Sequence, residues 1–538
     1  MLPLRGCALP QGKLGLTGDS RFQDMMLRCV NFLRMASPII AVLAVFRAMP
    51  AFAIPTLRVV TNINDSGDGS LRQAIADAGA SNTGDTIVFQ SGLVGIIRLT
   101  RFLAIENALT ISGPGASAVV ISGEGRTNVL FVDLLATVSI SGVAIVQGDG
   151  SGGGITNRGT LTLSDSIISN NQTLKEVDGG AIVNAGTLTV LNSSIVDNGN
   201  SGNDTGGVVN KTSGALTLVG TTVSGNQGKV TGGIFNQGVL TADNCTIFGN
   251  SGGLGGGINN TGMLRLTNCT VAGNSASAST GGGGGILNPG FAIIKNTILA
   301  NNPTGGNCDS VGRLPTSDGH NLSDDITCRD AFNAPTDLND TPAGLDSGLK
   351  NNGGDNQTIA LMPESAAVDA IPTEDCTELD DATPIATDQR GTARPQGTGC
   401  DIGAFELVPE PVVGKLNFSS SKLNFGAVSV NHAKIKKLRI SNAGKITKTS
   451  QPLPIVIETE TAGGTPTPSP FSVTTQCAHL ALKPAGKGVP KNETLCDVSI
   501  QFEPTQAVSY AGILTVADNL APSGQQTIQL TGKGKASK

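Results

Sequence analysis

The chain has 538 residues, with 72 Gly, no Trp, one Tyr and 14% charged residues. It is too long for one ordinary compact core, too aliphatic and too sparsely charged for a disordered chain, and without the strict three-residue Gly period of collagen. Its formal net charge of −6 argues against a nucleic-acid role, because binding phosphate backbones requires a concentrated basic surface. The basic runs are short: His432–Arg439, which alternates as a solvated strand face would, and a Lys-rich C-terminus. Gly, Asn, Thr and Ser interleaved with Ile, Leu and Val indicate many short strands joined by tight turns.

Residues 1–53 have the pattern of an export signal. Arg28 and Arg34 precede the apolar run Ile39–Phe46, and Ala51-Phe52-Ala53 is an A-x-A-like cleavage site. The run is too short to span a bilayer permanently, so no membrane-spanning segment is expected in the mature chain. A start at Met25, Met26 or Met35 gives a signal of more ordinary length. Next, Ser70 followed by Gln73 is a capping box. It predicts a short amphipathic helix through Leu71, Ala74 and Ile75, before a strand at Thr86–Phe89. Asp65 and Asp68 lack the spacing of a calcium loop and read as turn residues.

From Gly152 to Asn301 one unit recurs six times at intervals of 24 to 28 residues, as in GGGITNRGTLTLSDSIISNN and GGGINNTGMLRLTNCTVAGN. Each copy holds three short alternating segments separated by Gly or Asn, which is the form of one β-helix coil. Stacked in register, the copies form ladders. Leu161, Leu188, Leu216, Leu240 and Leu264 point inward, as do Ile168, Ile195, Val223, Ile247 and Val271. Asn157, Asn184, Asn210, Asn236, Asn260 and Asn288 form one turn ladder, and Asn171, Asn198, Asn226, Asn250, Asn274 and Asn301 a second; both are structural in purpose. Cys245 and Cys269 fall at one inward position of successive coils, either as a small-residue stack or as a disulfide between rungs.

Beyond the repeats, three cysteine pairs each close a loop of about 20 residues: Cys308 with Cys328, Cys376 with Cys400, and Cys477 with Cys496. With three His and no C-x-x-C pair, disulfides are expected rather than zinc, and no metal or other cofactor is expected. Residues 407–414 contain the stiff junction VPEPVV, after which alternating strands over 415–535 predict a β-sandwich. The expected fold class is therefore all-β: a right-handed parallel β-helix over 54–406, then an immunoglobulin-like sandwich.

Several segments carry a family resemblance. GSLRQAI resembles the CSLREA-type segment that opens many exported right-handed β-helix proteins, here without the Cys and with Gln73 for the usual Glu. The similarity continues through LTISGPGASAVVISGEGRTNVLFV, GHNLSDDITC, LKNNGGDNQTIALMPESAAVDAIP and DQRGTARPQGTGCDIGAFEL. That last motif is the hallmark of choice-of-anchor Q proteins. The C-terminal segments LNFGAVSV, ISNAG, FEPTQAVSYAG and LTGKG resemble ASH-type domains. The resemblance implies an exported protein at the bacterial surface or exterior, and no particular reaction.

Two readings of function compete. In the first, the chain is a non-catalytic adhesion, binding or structural module whose partners are surface glycans or other proteins, recognised by outward Thr, Ser and Asn. In the second, it is a polysaccharide lyase or glycoside hydrolase working on acidic polysaccharide along one face, which needs paired carboxylates or a base with a cation. The repeats disfavour the enzyme: Asp165, Asp197, Asp204 and Asp243 are scattered, and no His occurs between Ile54 and Asn301. Asp388, Arg390, Arg394, Asp401 and Glu406 could look like a catalytic cluster, but salt-bridged closure of the final coil is the expectation. No catalytic residue is expected.

Overall fold

The computed structural model describes residues 55–409, apart from 82–83, 151, 174–178, 201–204, 278–280, 310–312 and 381. C-terminal to these it describes 416–442, 453–461, 470–475, 481–482, 495–518 and 525–536. The expected export segment, residues 1–53, and the junction residues 410–414 lie outside the described residues.

The chain is all-β, a parallel β-solenoid followed by separate antiparallel sheets. The first solenoid sheet has 11 strands, from Leu57–Val60 to Thr316–Ser317. The second has 10, from Gly95–Arg98 to Leu322–Ser323, and the third has 9, from Leu103–Ile105 to Cys308–Asp309. A minor fourth sheet of 5 two-residue strands runs from Gln172–Thr173 to Ser275–Ala276. At about 4.8 Å per coil, the first sheet extends roughly 48 Å.

The sequence period fixes the register. Leu161 pairs with Leu188, then Leu216, Leu240 and Leu264, all buried. Ile168, Ile195, Val223, Ile247 and Val271 align likewise in the second sheet. The chain turns from the first sheet into the second at single left-handed residues: Asp165 (φ 50°), Asn192 (45°), Asn244 (48°), Asn268 (49°) and Asn296 (53°). Paired glycines are needed where coils touch backbone to backbone. A Cβ on Gly207 would sit 2.2 Å from the Gly233 carbonyl oxygen.

Both Asn ladders are buried hydrogen-bonded stacks. Asn157 Nδ2 donates to Asn184 Oδ1 at 2.8 Å, and the bond repeats through Asn210, Asn236, Asn260 and Asn288. In the second ladder Asn171, Asn198, Asn226, Asn250 and Asn274 bond in sequence. Its next member is Asn302 rather than the expected Asn301. In each coil a left-handed residue directly precedes the ladder Asn, as Asn170 (φ 53°) and Asp197 (54°) do. In the last coil Asn301 (φ 55°) takes that turn position and lies exposed, leaving Asn302 inside.

At the N-terminal end the helix α1, Leu71–Ser81, covers the first coil with Leu71, Ala74, Ile75 and Ala78. Only half of the expected capping box forms. Ser70 Oγ accepts from the Gln73 amide at 3.2 Å, but the Ser70 amide donates to the Gly67 carbonyl oxygen rather than to the Gln73 side chain, whose Nε2 donates to Asp77. Arg72 instead pins the helix, through Asp65 and the carbonyl oxygens of Arg101 and Phe102. Asp65 also accepts from Thr100, a turn role.

After Ser323 the chain leaves the coil path. Residues 340–406 form an irregular strap that runs back along the second sheet, packing Ala343, Leu361, Ile371, Ile402 and Phe405 on Ile298 and Leu322. Further on, two antiparallel-rich sheets of 4 and 5 strands enclose Leu438, Val498, Ile500 and Phe502 against Phe425, Leu514, Val516 and Ile528. Tyr510 Oη accepts the Gln506 amide at 2.8 Å, tying the loop to that core.

Candidate binding face

Carboxylates do converge in the strap, but at places closed to substrate. Arg394 donates to Glu406 at 2.9 Å, with both side chains at 0–1% exposure, and also to the carbonyl oxygens of Asp401 and Gly403. Glu406 accepts the amides of Gln396 and Asp401; Asp401 accepts those of Asp369 and Leu407. Arg390 pairs with Asp388 at 2.6 Å and stacks over Phe405 at 3.6 Å. Burial raises the Asp401 carboxyl to about 7, with the nearby Glu406 charge adding to it. Burial also raises Glu406 and lowers Arg394. Every oxygen of this cluster holds backbone or arginine, so its chemistry is that of a clasp.

The clasp sits against the last coil, where the Gly403 amide donates to the Asn296 carbonyl oxygen at 2.9 Å, and the strap it locks also reaches earlier coils. Ser194, Thr222, Thr246 and Thr270 form one outward row of the second sheet. Ser194 donates to Asn356 and Thr222 to the Gln357 carbonyl oxygen, each at 2.8 Å. Gln389 bridges Thr222 and Thr246, and Thr270 Oγ1 accepts the Ala404 amide at 3.0 Å. Lys295 reaches the strap through Thr377 and the Glu378 carbonyl oxygen, each at 2.9 Å. Asp243, beside Glu378, is raised to about 6, chiefly by burial. The strap therefore engages the outward hydroxyls of the second sheet from Ser194 to Thr270.

The third sheet is also mostly closed from Val183 onward. Its outward Val183, Val209, Asn259 and Leu287 are buried, and Phe235 between them is half-buried. The first sheet is different. Its central outward row reads Thr86, Thr110, Ser139, Thr162, Thr189, Thr217 and Thr241, an unbroken run of seven half-exposed hydroxyls, then Arg265 and Ile293. Beside it runs Thr137, Thr160, Thr187, Ala215, Val239, Met263 and Phe291. The last three are exposed by 44%, 43% and 57%, and Arg313 lies 4.0 Å over the Phe291 ring. The face thus grades from hydroxyls in the early coils to apolar and cationic groups in the late ones. Sequence alternation marked these residues as outward; only the register shows which rows remain open.

The cysteines are structural. Cys308–Cys328 and Cys376–Cys400 are disulfides, one in the last coil and one in the strap. Cys496 is disulfide-bonded, while its expected partner Cys477 lies outside the described residues. Cys245 and Cys269 are unbonded and fully buried, as a stack. Among the described residues no group of three or more His, Cys, Asp or Glu is placed to hold a metal. Nor is any helix there long and apolar enough to cross a membrane.

No family model and no curated protein matches the chain. Among solved structures it is similar to the ASH/PapD-like domain 7 of human CEP192, at 15% identity and a TM-score of 0.19, over 24% of this chain and 92% of that one. It is also similar to the secreted serine protease VesC of Vibrio cholerae, at 15% identity and a TM-score of 0.17, over 22% of this chain and 23% of that one. Likenesses this low carry no functional argument.

Proposed function

We propose that this chain is an exported, non-catalytic β-solenoid of the choice-of-anchor Q kind, binding an extended ligand along the outward face of its first sheet. One observation carries the reading. In the later coils the strap occupies the second sheet from Ser194 onward and most outward residues of the third sheet are buried, whereas the first sheet keeps ladders of hydroxyls and large side chains open to solvent. Repeated at every coil, such a surface suits a polymer or an extended chain better than a small molecule. The strap's disulfide, and the one in the last coil, suit an oxidising exterior. The C-terminal sandwich then serves as a spacer or attachment module.

Glycan-array binding run beside a uronate-release assay on acidic polysaccharides tests this. Retention of glycan without release of unsaturated sugar is the expected outcome. Release of unsaturated sugar overturns the non-catalytic reading in favour of a lyase.

A further inference from the structure

We infer that a calcium ion sits in the seam between the strap and the solenoid, ligated by Asp243, Asn244 and Asn268 from two coils and by Glu378 from the strap. The ladder defines the place. Asp243, Thr267 and Lys295 pair across three successive coils, so the turn residues that follow them, Asn244, Asn268 and Asn296, stack about 4.8 Å apart. Strap residues 377–387 lie over this row. Asn244 Nδ2 donates to the Thr387 carbonyl oxygen at 3.2 Å, and Asn296 Nδ2 to that of Thr377 at 3.5 Å. Both amides therefore lie in the seam.

The other ends of these groups have no partner. Asp243 Oδ1, Asn244 Oδ1, Asn268 Nδ2 and Asn296 Oδ1 are enclosed without a hydrogen bond, four of nine such side-chain atoms among the described residues. Asn268 and Asn296 are 1% and 0% exposed, so surface solvent does not serve them. Enclosed polar groups are nearly always satisfied, and four orphans along one turn row mark the place of an occupant.

The atoms specify its chemistry. Three are acceptor oxygens, which call for a cation or for donors. Asn268 joins them when its amide turns over, exchanging Nδ2 for Oδ1. Glu378 supplies a second carboxylate beside Asp243, and no hydrogen bond or ion pair holds that carboxylate among the described residues. Beside two carboxylates a cation is favoured over water, because it turns their repulsion into attraction. The protein's own cations are spent elsewhere: Arg394 on Glu406 and two carbonyl oxygens, Lys295 on Thr377 and the Glu378 carbonyl oxygen.

Oxygen ligands alone, with no thiol or imidazole, select a hard cation over zinc. Coils about 4.8 Å apart suit calcium, which takes oxygens at about 2.3–2.6 Å on either side. Magnesium demands about 2.0–2.1 Å and near-ideal octahedral geometry, which this row does not offer. Asn296, two coils from Asn244, is too distant to ligate the same ion and takes a water from its shell. Because Glu378 comes from the strap and the other ligands from the coils, the ion ties strap closure to calcium.

The test strips the full-length protein with chelator and titrates it with calcium chloride by calorimetry, with magnesium chloride as the comparison. One calcium per chain is expected to bind, with magnesium at least about tenfold weaker. Calcium should also slow protease cleavage within 340–406 while leaving the far-ultraviolet signature of the coils unchanged. Asp243→Asn and Glu378→Gln keep the side-chain shapes and should each weaken calcium binding at least about tenfold, with Asn268→Ala costing less. Should Asp243→Asn fail to fold, Glu378→Gln, on the half-buried strap hairpin, decides alone. No saturable uptake up to about 10 mM calcium means that water alone fills the seam, and overturns the inference. Calcium binding that both carboxylate variants leave unchanged overturns it too, since the ion then sits elsewhere.

Discussion

The coils and the strap lie side by side, yet they are held by different physics. In a coil, every stabilising contact is repeated above and below: Leu on Leu, Asn on Asn, each bond backed by an identical neighbour. In the strap each contact is unique, and the tightest are a buried pair, Arg394 with Glu406, and an ion pair capped by an aromatic ring, Arg390 with Asp388 under Phe405. Damage to a repeat should propagate through neighbouring coils, as in other solenoids, whereas damage to the strap should stay local.

The sharpest way to break this contrast is Glu406→Gln, which strips the buried Arg394 of its charge partner. We expect a loss of about 3–5 kcal/mol in the strap's closing free energy. Limited proteolysis within 340–406 should rise while the far-ultraviolet signature of the coils persists. Loss of that signature together with the strap would merge the two regions into one unit. Asn210→Ala should cost about 3 kcal/mol, because the lost bonds to Asn236, Gly214 and Val239 leave their buried partners unpaired. Here denaturant titration should show the coils themselves unfolding at lower concentration. Cys376→Ser, which opens a loop of sequence separation 24, should cost about 2–4 kcal/mol in the strap at most.

A subtler effect depends on pH. Asp401 is raised to about 7 and Asp243 to about 6 from an ordinary 3.8, both chiefly by burial. The closed strap therefore holds protons that an open one releases. This contribution is complete below about pH 4 and is lost as pH rises through 6 and 7. Strap proteolysis by an enzyme of flat pH response should accordingly increase over that window and level off above it. The smallest effect expected is from Cys245→Ser, under about 1 kcal/mol by thermal melting, because Ser166 and Ser193 already fill the same position in other coils.

The same contrast explains what could be read in the sequence. Ladders are legible because a period of 24 to 28 residues repeats the same chemistry, so each coil reports on the next. The one slip, Asn301 for Asn302, came where adjacent Asn residues compete and only the backbone turn decides between them. The strap's partners are invisible in any period: Gln389 meets Thr222 across 167 residues, and Asn356 meets Ser194 across 162. Its charged motif could be recognised as structural, but not located. The open face required both kinds of knowledge, since it is defined by which rows the strap leaves uncovered.

Oxidative footprinting of the intact protein tests the account most directly. Met263 and Phe291 should label readily in the free protein, with Phe405, sealed beneath Arg390, protected. Adding a glycan retained on the array should protect Met263 and Phe291 while leaving exposed Met362 of the strap unchanged. Met263 and Phe291 as shielded as Phe405 in the free protein, or protection at Met362 instead, would contradict the open first-sheet face.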